Sequence, residues 1–172
     1  MSDVPAIHEL AGHPDIAATT LTIPHPYSKQ DAADFVTSTR RAMEAGEGFV
    51  FAVTPKENEN RLLGAVGLDI HKEHWHGELG YWMGVPYWGR GYTTEAARRI
   101  LAFAFDQLEL NRVIARHFVH NIPSGRVMEK IGMTYEGTLR RHYLRWGEFR
   151  DVAIYGILRL EFMPNQNGHE NP

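Results

Sequence analysis

The chain has 172 residues, 43% hydrophobic and 23% charged, with a net charge of −3 and a pI near 6.4. A chain of this size buries about 70% of its unfolded surface, enough for one core, and it has neither the basic footprint of a nucleic-acid binder nor a Lys/Arg run suited to a membrane surface. Cysteine is absent, which removes disulfides, thiolate metal sites and a cysteine nucleophile together and suits a cytoplasmic protein; the polar N-terminus carries no signal-peptide pattern, and no apolar run approaches the roughly 20 residues that span a bilayer.

Residues 5–13 read as a short helix around Ile7 and Leu10 that Gly12-His13-Pro14 stops. After Pro24-His25-Pro26, Ser28 fits an N-cap, and Ala32, Phe35, Val36, Thr39 and Met43 recur at helical spacing up to Gly46. Phe49 to Val53 reads as a strand, residues 55–60 as a polar hairpin turn, and Leu62 to Ile70 as the antiparallel partner. The next strand runs from Glu78 to Val85. From Gly80 its side chains are apolar on both faces, as in a strand covered on both sides, and Pro86 ends its capacity to donate to a ladder.

Beyond this strand the backbone changes character. Gly89 and Gly91 can take positive φ and leave their amides uncovered, and Thr93, Thr94 and Glu95 suit the first turn of a helix reaching about Gln107. Such a helix offers free N–H groups and the positive end of its macrodipole to a polyphosphate. Ala96, Ala97, Ile100, Leu101, Ala104, Phe105 and Leu108 give it a broad apolar face, and Val113 to Val119 is the strand it leads to, completing a β-α-β unit. Asn121 then falls at a strand end, Pro123 at the first position of another helix and Gly132 just past its end. A closing hairpin pairs Thr134–Leu144 with Val152–Leu160 around a turn at 145–148. The expected organisation is one domain over residues 1–162, an α/β fold with a mixed sheet covered by helices, and a polar tail over 163–172.

Alone, Gly89-Arg90-Gly91 between strand and helix is a weak signal, because many α/β proteins need glycine at such turns. A Rossmann fingerprint would want Gly or Ala where Thr94 stands and an acidic residue ending the next strand; a P-loop would need a Gly-Lys-Ser/Thr ending. Neither pattern is present. The turn must bind phosphate in some other way.

The run Tyr81-Trp-Met-Gly-Val-Pro-Tyr-Trp-Gly-Arg-Gly-Tyr-Thr-Thr-Glu-Ala96, followed by Asn121-Ile-Pro-Ser124-Gly-Arg-Val-Met-Glu-Lys-Ile-Gly-Met133, resembles the GNAT acyltransferases, specifically their RimJ/RimL-like branch. The resemblance covers about Ile7 to Leu160. It implies an acetyl-CoA-dependent N-acetyltransferase whose mostly antiparallel central sheet splays open after the Glu78–Val85 strand. It also implies pantetheine contacts at Met83, Gly84 and Val85, and a pyrophosphate nest on the amides of Gly89, Arg90, Gly91, Tyr92, Thr93 and Thr94, with the Arg90 side chain as a further phosphate contact. The wider superfamily has Gly or Ala where Thr93 stands, and its members open with an extra strand before the first helix. Lacking that strand would leave an unpaired edge open to homodimerisation.

Acetyl transfer from a thioester to an amine needs a deprotonated amine, a polarised carbonyl and a proton for the departing thiolate, with no covalent enzyme intermediate and no metal. Glu78 is the candidate base, since partial burial of a carboxyl favours proton uptake near neutrality; the competing reading is a surface carboxylate at a strand edge. Many GNAT members carry a tyrosine where Met128 stands. By the same resemblance Ser124 partners the sulfur and Asn121 holds the pantetheine or the helix entry, whereas from the residues alone both are equally helix caps. Lys130 can reach a CoA phosphate or simply complement a helix dipole.

His71, His74 and His76 read as a solvated turn rather than a metal site, and the aromatics Tyr81, Trp82, Tyr87, Trp88 and Tyr92 are assigned to the core with no catalytic role. Trp146 marks a hairpin that overhangs the acceptor or forms a dimer contact, and Glu136, Glu148 and Asp151 are nearby carboxylates for a cationic amine. The acceptor is expected to be a protein N-terminal amine or a small amine. Two other classes stay open: a catalytically silent acyl-CoA-binding sensor or scaffold and, remotely, a dinucleotide-binding oxidoreductase.

Overall fold

The computed structural model describes residues 3–162, so the polar tail expected at 163–172 lies outside the described residues. The chain enters through α1 (Val4–Ala11), which ends where Gly12 was expected to stop it. A second helix follows that the sequence pattern did not suggest, α2 (Pro14–Thr19): proline occupies its first turn and the His13 ring accepts the Asp15 N–H. The α3 helix (Lys29–Ala45) starts on a capping box in which Ser28 and Asp31 satisfy each other's backbone amides and ends at Gly46, in the left-handed region at φ 63°.

Six strands follow in one sheet: β1 (Gly48–Val53), β2 (Gly64–His71), β3 (His76–Met83), β4 (Arg112–Phe118), β5 (Thr134–Arg145) and β6 (Glu148–Leu158), ordered β1-β2-β3-β4-β6-β5. Helix α4 (Tyr92–Ala102) joins β3 to β4, α5 (Ile122–Lys130) joins β4 to β5, and a short α6 (Arg159–Phe162) closes the described chain. Val85, expected at the end of β3, belongs instead to a 3-10 turn with Pro86 and Tyr87. The helix expected to reach Gln107 becomes a π turn from Phe103, whose ring packs edge-on against Phe49 and Phe51 of β1, with centroids 5.1 and 5.7 Å apart.

Two apolar clusters sandwich the sheet. One face carries α4 and α5 over Leu68, Leu79, Val113, Ala115 and Ile157, with Leu101, Phe105 and Met128 as the helix contributions. The opposite face carries α1 and α3 over Ala65 and Trp82, packed by Ile7, Ile16 and Ala32. That second cluster draws its strand residues from the β1–β3 half alone.

Every strand pair is antiparallel except β3 with β4, and this parallel ladder is short, running only from His76↔Arg112 to Leu79↔Ala115. Both strands continue beyond it, to Met83 and Phe118, still paired to β2 and β6 on their far sides but no longer to each other. The sheet therefore opens as a V between β3 and β4, as the resemblance implied. Across its mouth, residues 17–23 are tied to the far half: the Arg145 guanidinium donates to the carbonyls of Ala17 (2.7 Å) and Ile23, and the Asn121 amide donates to Thr19 (3.1 Å). Among the described residues no strand pairs with the outer edge of β1 or of β5, and no helix is long and apolar enough to cross a membrane.

Replacing Arg145 leaves the carbonyls it serves without their charged donor, at about 1–3 kcal/mol for each buried group left unsatisfied. Arg145→Met, which keeps the apolar stem, is expected to lower the urea unfolding free energy by about 2–4 kcal/mol on that basis. It should also expose residues 17–28 to limited proteolysis before global unfolding; an unchanged midpoint would contradict the clamp.

Candidate active site

The V is a backbone site first. The Gly84 N–H donates to the Leu63 carbonyl, across the β2 side of β3. Successive strand residues direct their hydrogen-bonding groups to opposite edges, so Tyr81 and Met83 turn theirs toward β4, where the ladder has ended at Leu79↔Ala115. The Met83 carbonyl is taken by the Trp88 indole N–H at 2.5 Å. The amide and carbonyl of Tyr81 and the amide of Met83 are left facing the gap. Of the three residues expected to contact pantetheine, only Met83 lies on this edge; the Gly84 carbonyl accepts Tyr87 N–H and that of Val85 accepts Trp88 N–H inside the 3-10 turn. Tyr81 is the residue the sequence reading omitted here, and strand alternation through Met83 was the signal that would have found it.

The edge leads to the glycine turn. Gly89 and Gly91 stand at φ 71° and 86°, a region that costs an L side chain roughly 1–2 kcal/mol. A methyl group on either would meet no atom within 4 Å, so conformation, not packing, demands glycine there. Gly91 is the N-cap of α4 and no side chain caps that helix, so the first-turn amides of Tyr92, Thr93 and Thr94 face outward with the positive end of the dipole. Beside them lies an open depression of about 550 Å³ lined by Gly91, Thr94, Glu95, Arg98, Arg99 and Lys130. Its three cations outnumber the one carboxylate. Lys130 thus joins the glycine turn in space, because Arg98 bonds its carbonyl at 2.7 Å and draws α5 against α4. Arg98 and Arg99 were missed; they lie one helical turn past Thr94 and Glu95, the i+4 spacing that returns a side chain to the same face.

On the α4/α5 face of the V, the Tyr81 hydroxyl lies 2.9 Å from Ser124 Oγ and 3.1 Å from the Ser124 carbonyl. Burial pushes the Tyr81 phenol up to about 12, with the Ser124 hydrogen bond opposing in part. Ser124 is buried, and the capping role belongs to Asn121, whose Oδ1 accepts the Ser124 N–H at 3.3 Å. The Asn121 side chain is thus committed at both ends, to α5 and to Thr19. Met128 is 1% exposed in the core.

On the opposite face, at the base of the V, Arg116 grips Glu78 through two hydrogen bonds of 2.7 Å. Hydrogen bonding to Glu78 is the main reason the Arg116 pKa is raised. Two of the carboxylate's roughly four lone-pair sites are occupied and two remain for water or an ammonium. Asp69 faces Glu78 across β2 and β3, and its pKa is raised by desolvation and then by the Glu78 charge. The Arg116 guanidinium was missed: it emerges on the polar face of a strand whose alternate residues, Val113 and Ala115, are core.

The other candidates do not gather at the V. Glu136 is paired with Arg112 at the start of β4, whereas Glu148 pairs with Arg150 and Asp151 accepts the Arg141 N–H at 2.7 Å, both within the closing hairpin. Trp146 is 56% exposed at the hairpin turn, edge-on to His25 with centroids 6.4 Å apart. The rings of His71 and His74 flank His76, and among the described residues no group of three or more His, Cys, Asp or Glu has metal-holding geometry.

Comparison with known proteins agrees with this architecture. The family described as "Acetyltransferase (GNAT) domain" matches residues 1–134. The uncharacterized N-acetyltransferase YnaD of Bacillus subtilis is 34% identical over 137 residues, 79% of this chain and 77% of YnaD. The aligned segment covers 66% of another relative, the uncharacterized N-acetyltransferase p20 of Bacillus licheniformis, at 30% identity. Among solved structures, a GNAT-family acetyltransferase from Bacillus anthracis superposes with a TM-score of 0.81 at 30% identity, covering 92% of this chain and 90% of that one. The ribosomal L7/L12 α-N-protein acetyltransferase RimL, in complex with coenzyme A, shares the fold at a TM-score of 0.83 and 18% identity, covering 91% and 89%. The chain belongs to the GNAT acetyltransferases, a family of acetyl-CoA-dependent acyltransferases.

Proposed function

We propose that this protein moves an acetyl group from acetyl-CoA directly to a primary amine, either a protein N-terminus or a small amine. The observation that carries the reading is the continuity of the open β3 edge, the uncapped α4 N-terminus and the cationic depression beside it. An extended amide-bearing chain finds unpaired partners at Tyr81 and Met83, a pyrophosphate finds the amides from Gly89 to Thr94, and a further phosphate finds Arg98, Arg99 and Lys130. Arg90 rises from the turn itself, and Asn121 acts at one remove by fixing the start of α5.

In the reaction the amine nitrogen attacks the thioester carbonyl, the C–S bond breaks, and the proton lost by the nitrogen is balanced by one gained at sulfur. Glu78 takes the amine's proton through one of its two free lone-pair sites, directly or through water, while Arg116 fixes the carboxylate. Ser124 donates its hydroxyl hydrogen bond to the sulfur as negative charge develops there. The carboxylates of Asp69 and Glu78 on the same face favour a cationic acceptor.

Acetyl-CoA should raise the melting temperature by several degrees where NAD does not, since saturating ligand at 100 Kd adds about 2.7 kcal/mol; equal shifts would count against the site. Acceptor-dependent release of CoA thiol across a panel of amines and peptide N-termini separates an enzyme from a silent acyl-CoA-binding module, which would release none. Gly91→Ala is expected to weaken acetyl-CoA binding at least 10-fold while costing the fold only about 1–2 kcal/mol of backbone strain, read by calorimetry beside urea unfolding. Glu78→Gln should lower turnover at neutral pH by about 10²–10⁴-fold with acetyl-CoA affinity retained. An unchanged pH–rate profile would assign Glu78 to the ion pair alone.

A further inference from the structure

The Tyr81 hydroxyl holds a single proton and faces two acceptors on one residue, Ser124 Oγ at 2.9 Å and the Ser124 carbonyl at 3.1 Å. The two choices have opposite consequences. If the phenol donates to the carbonyl, the Ser124 O–H can turn back onto the phenol oxygen, and its proton is spent inside the pair. If the phenol donates to Oγ, the Ser124 proton must point elsewhere. Tyr81 belongs to β3 and Ser124 to the first turn of α5, so this bond spans the opening at a level where β3 and β4 have already parted. The cap of this helix is Asn121, whose Oδ1 accepts the Ser124 N–H, and not the Ser124 hydroxyl.

We infer that Tyr81 is a positioning residue for acetyl transfer: its phenol donates to Ser124 Oγ and thereby directs the Ser124 O–H into the gap, where it meets the departing sulfur. This rests on the role proposed above for Ser124. A donor that itself accepts a hydrogen bond becomes a stronger donor, so the chain Tyr81 O–H to Ser124 O–H to sulfur stabilises thiolate charge better than the serine alone. No proton leaves Tyr81 in this step. The elevated phenol pKa keeps the proton on Tyr81 throughout the neutral range, so the residue acts as a fixed donor and not as an acid. The thiolate takes its proton from water, matching the one the amine gives to Glu78, and the two hydroxyls stabilise the charge until it is taken up.

The test is a double-mutant cycle on the full chain, with steady-state thiol release and acetyl-CoA affinity measured for each variant. Tyr81→Phe keeps the ring and its packing and removes only the hydroxyl. It should lower kcat on the order of 10-fold, a fraction of the 10²–10³ that loss of a direct donor costs, with acetyl-CoA Kd within error of wild type and the melting temperature lowered by at most a few degrees for the lost hydrogen bond. Ser124→Ala should lower kcat further, and adding Tyr81→Phe to it should change nothing more, because the phenol then has no oxygen to orient. If Ser124→Ala lowers kcat but Tyr81→Phe does not, or if their effects multiply, the inference about Tyr81 is overturned while the proposed reading stands. If Ser124→Ala leaves kcat unchanged, the role of Ser124 fails first, and the inference falls with it. A rise in acetyl-CoA Kd without loss of kcat in Tyr81→Phe would make the phenol a structural contact and overturn the inference as well.

Discussion

The site depends on the short parallel ladder between β3 and β4. Its pairs from His76↔Arg112 to Leu79↔Ala115 hold the two halves of the sheet together at one end and then stop. A longer ladder would pair the amides and carbonyls of Tyr81 and Met83 with β4 and leave nothing for a ligand. A shorter one would leave the halves joined only through the helices and the 17–23 segment. Unpaired backbone groups inside a fold are costly, about 1–3 kcal/mol each when buried, so a persistent gap of this kind is a place prepared for a partner that supplies the missing hydrogen bonds.

What keeps the V open is visible in the packing. On one face Leu101, Phe105 and Met128 fill the space above Leu79, Val113 and Ala115, binding both arms to α4 and α5. On the other face the apolar cluster stops at β3, and the Glu78–Arg116 pair stands at the base of the opening. A half-buried ion pair gains little net stability, so its value here is geometric: two hydrogen bonds fix the diagonal between the strands just before they diverge. The Arg145 and Asn121 bonds to residues 17–23 close the outer mouth. The ion pair and these hydrogen bonds each span the two halves, on the side that the apolar cluster does not bridge.

Much of the fold was legible because it rests on local chemistry. The Ser28 cap, the helical spacing to Gly46 and the positive φ of Gly89 and Gly91 are written in adjacent residues, and the structure realises each of them. Where the structure differs, the deciding contacts are of two kinds, distant and local. The π turn at Phe103 answers to Phe49 and Phe51, far back in the chain, and α2 forms around a histidine cap that apolar periodicity does not register. Val85 leaves the strand because Pro86 and the bond from Trp88 N–H to its carbonyl fold it into a turn. The backbone groups that face the gap are those of Tyr81 and Met83, not those of Gly84 and Val85, and alternation of hydrogen-bonding direction can be counted only once the pairing partner is known.

Tyr81 was read as a core aromatic, and its ring does pack against the main core. The hydroxyl remains to be explained, because a tyrosine in a core must find a partner for it, and that partner identifies which part of the fold the residue serves. Here it is Ser124, 43 positions later, on a helix that only the β-α-β crossover brings alongside. A phenylalanine would fill the same volume and, lacking the oxygen, would leave Ser124 free to rotate. The hydroxyl is therefore unnecessary for packing and significant for direction. That division between the ring and its oxygen is what makes the conservative substitution the informative one.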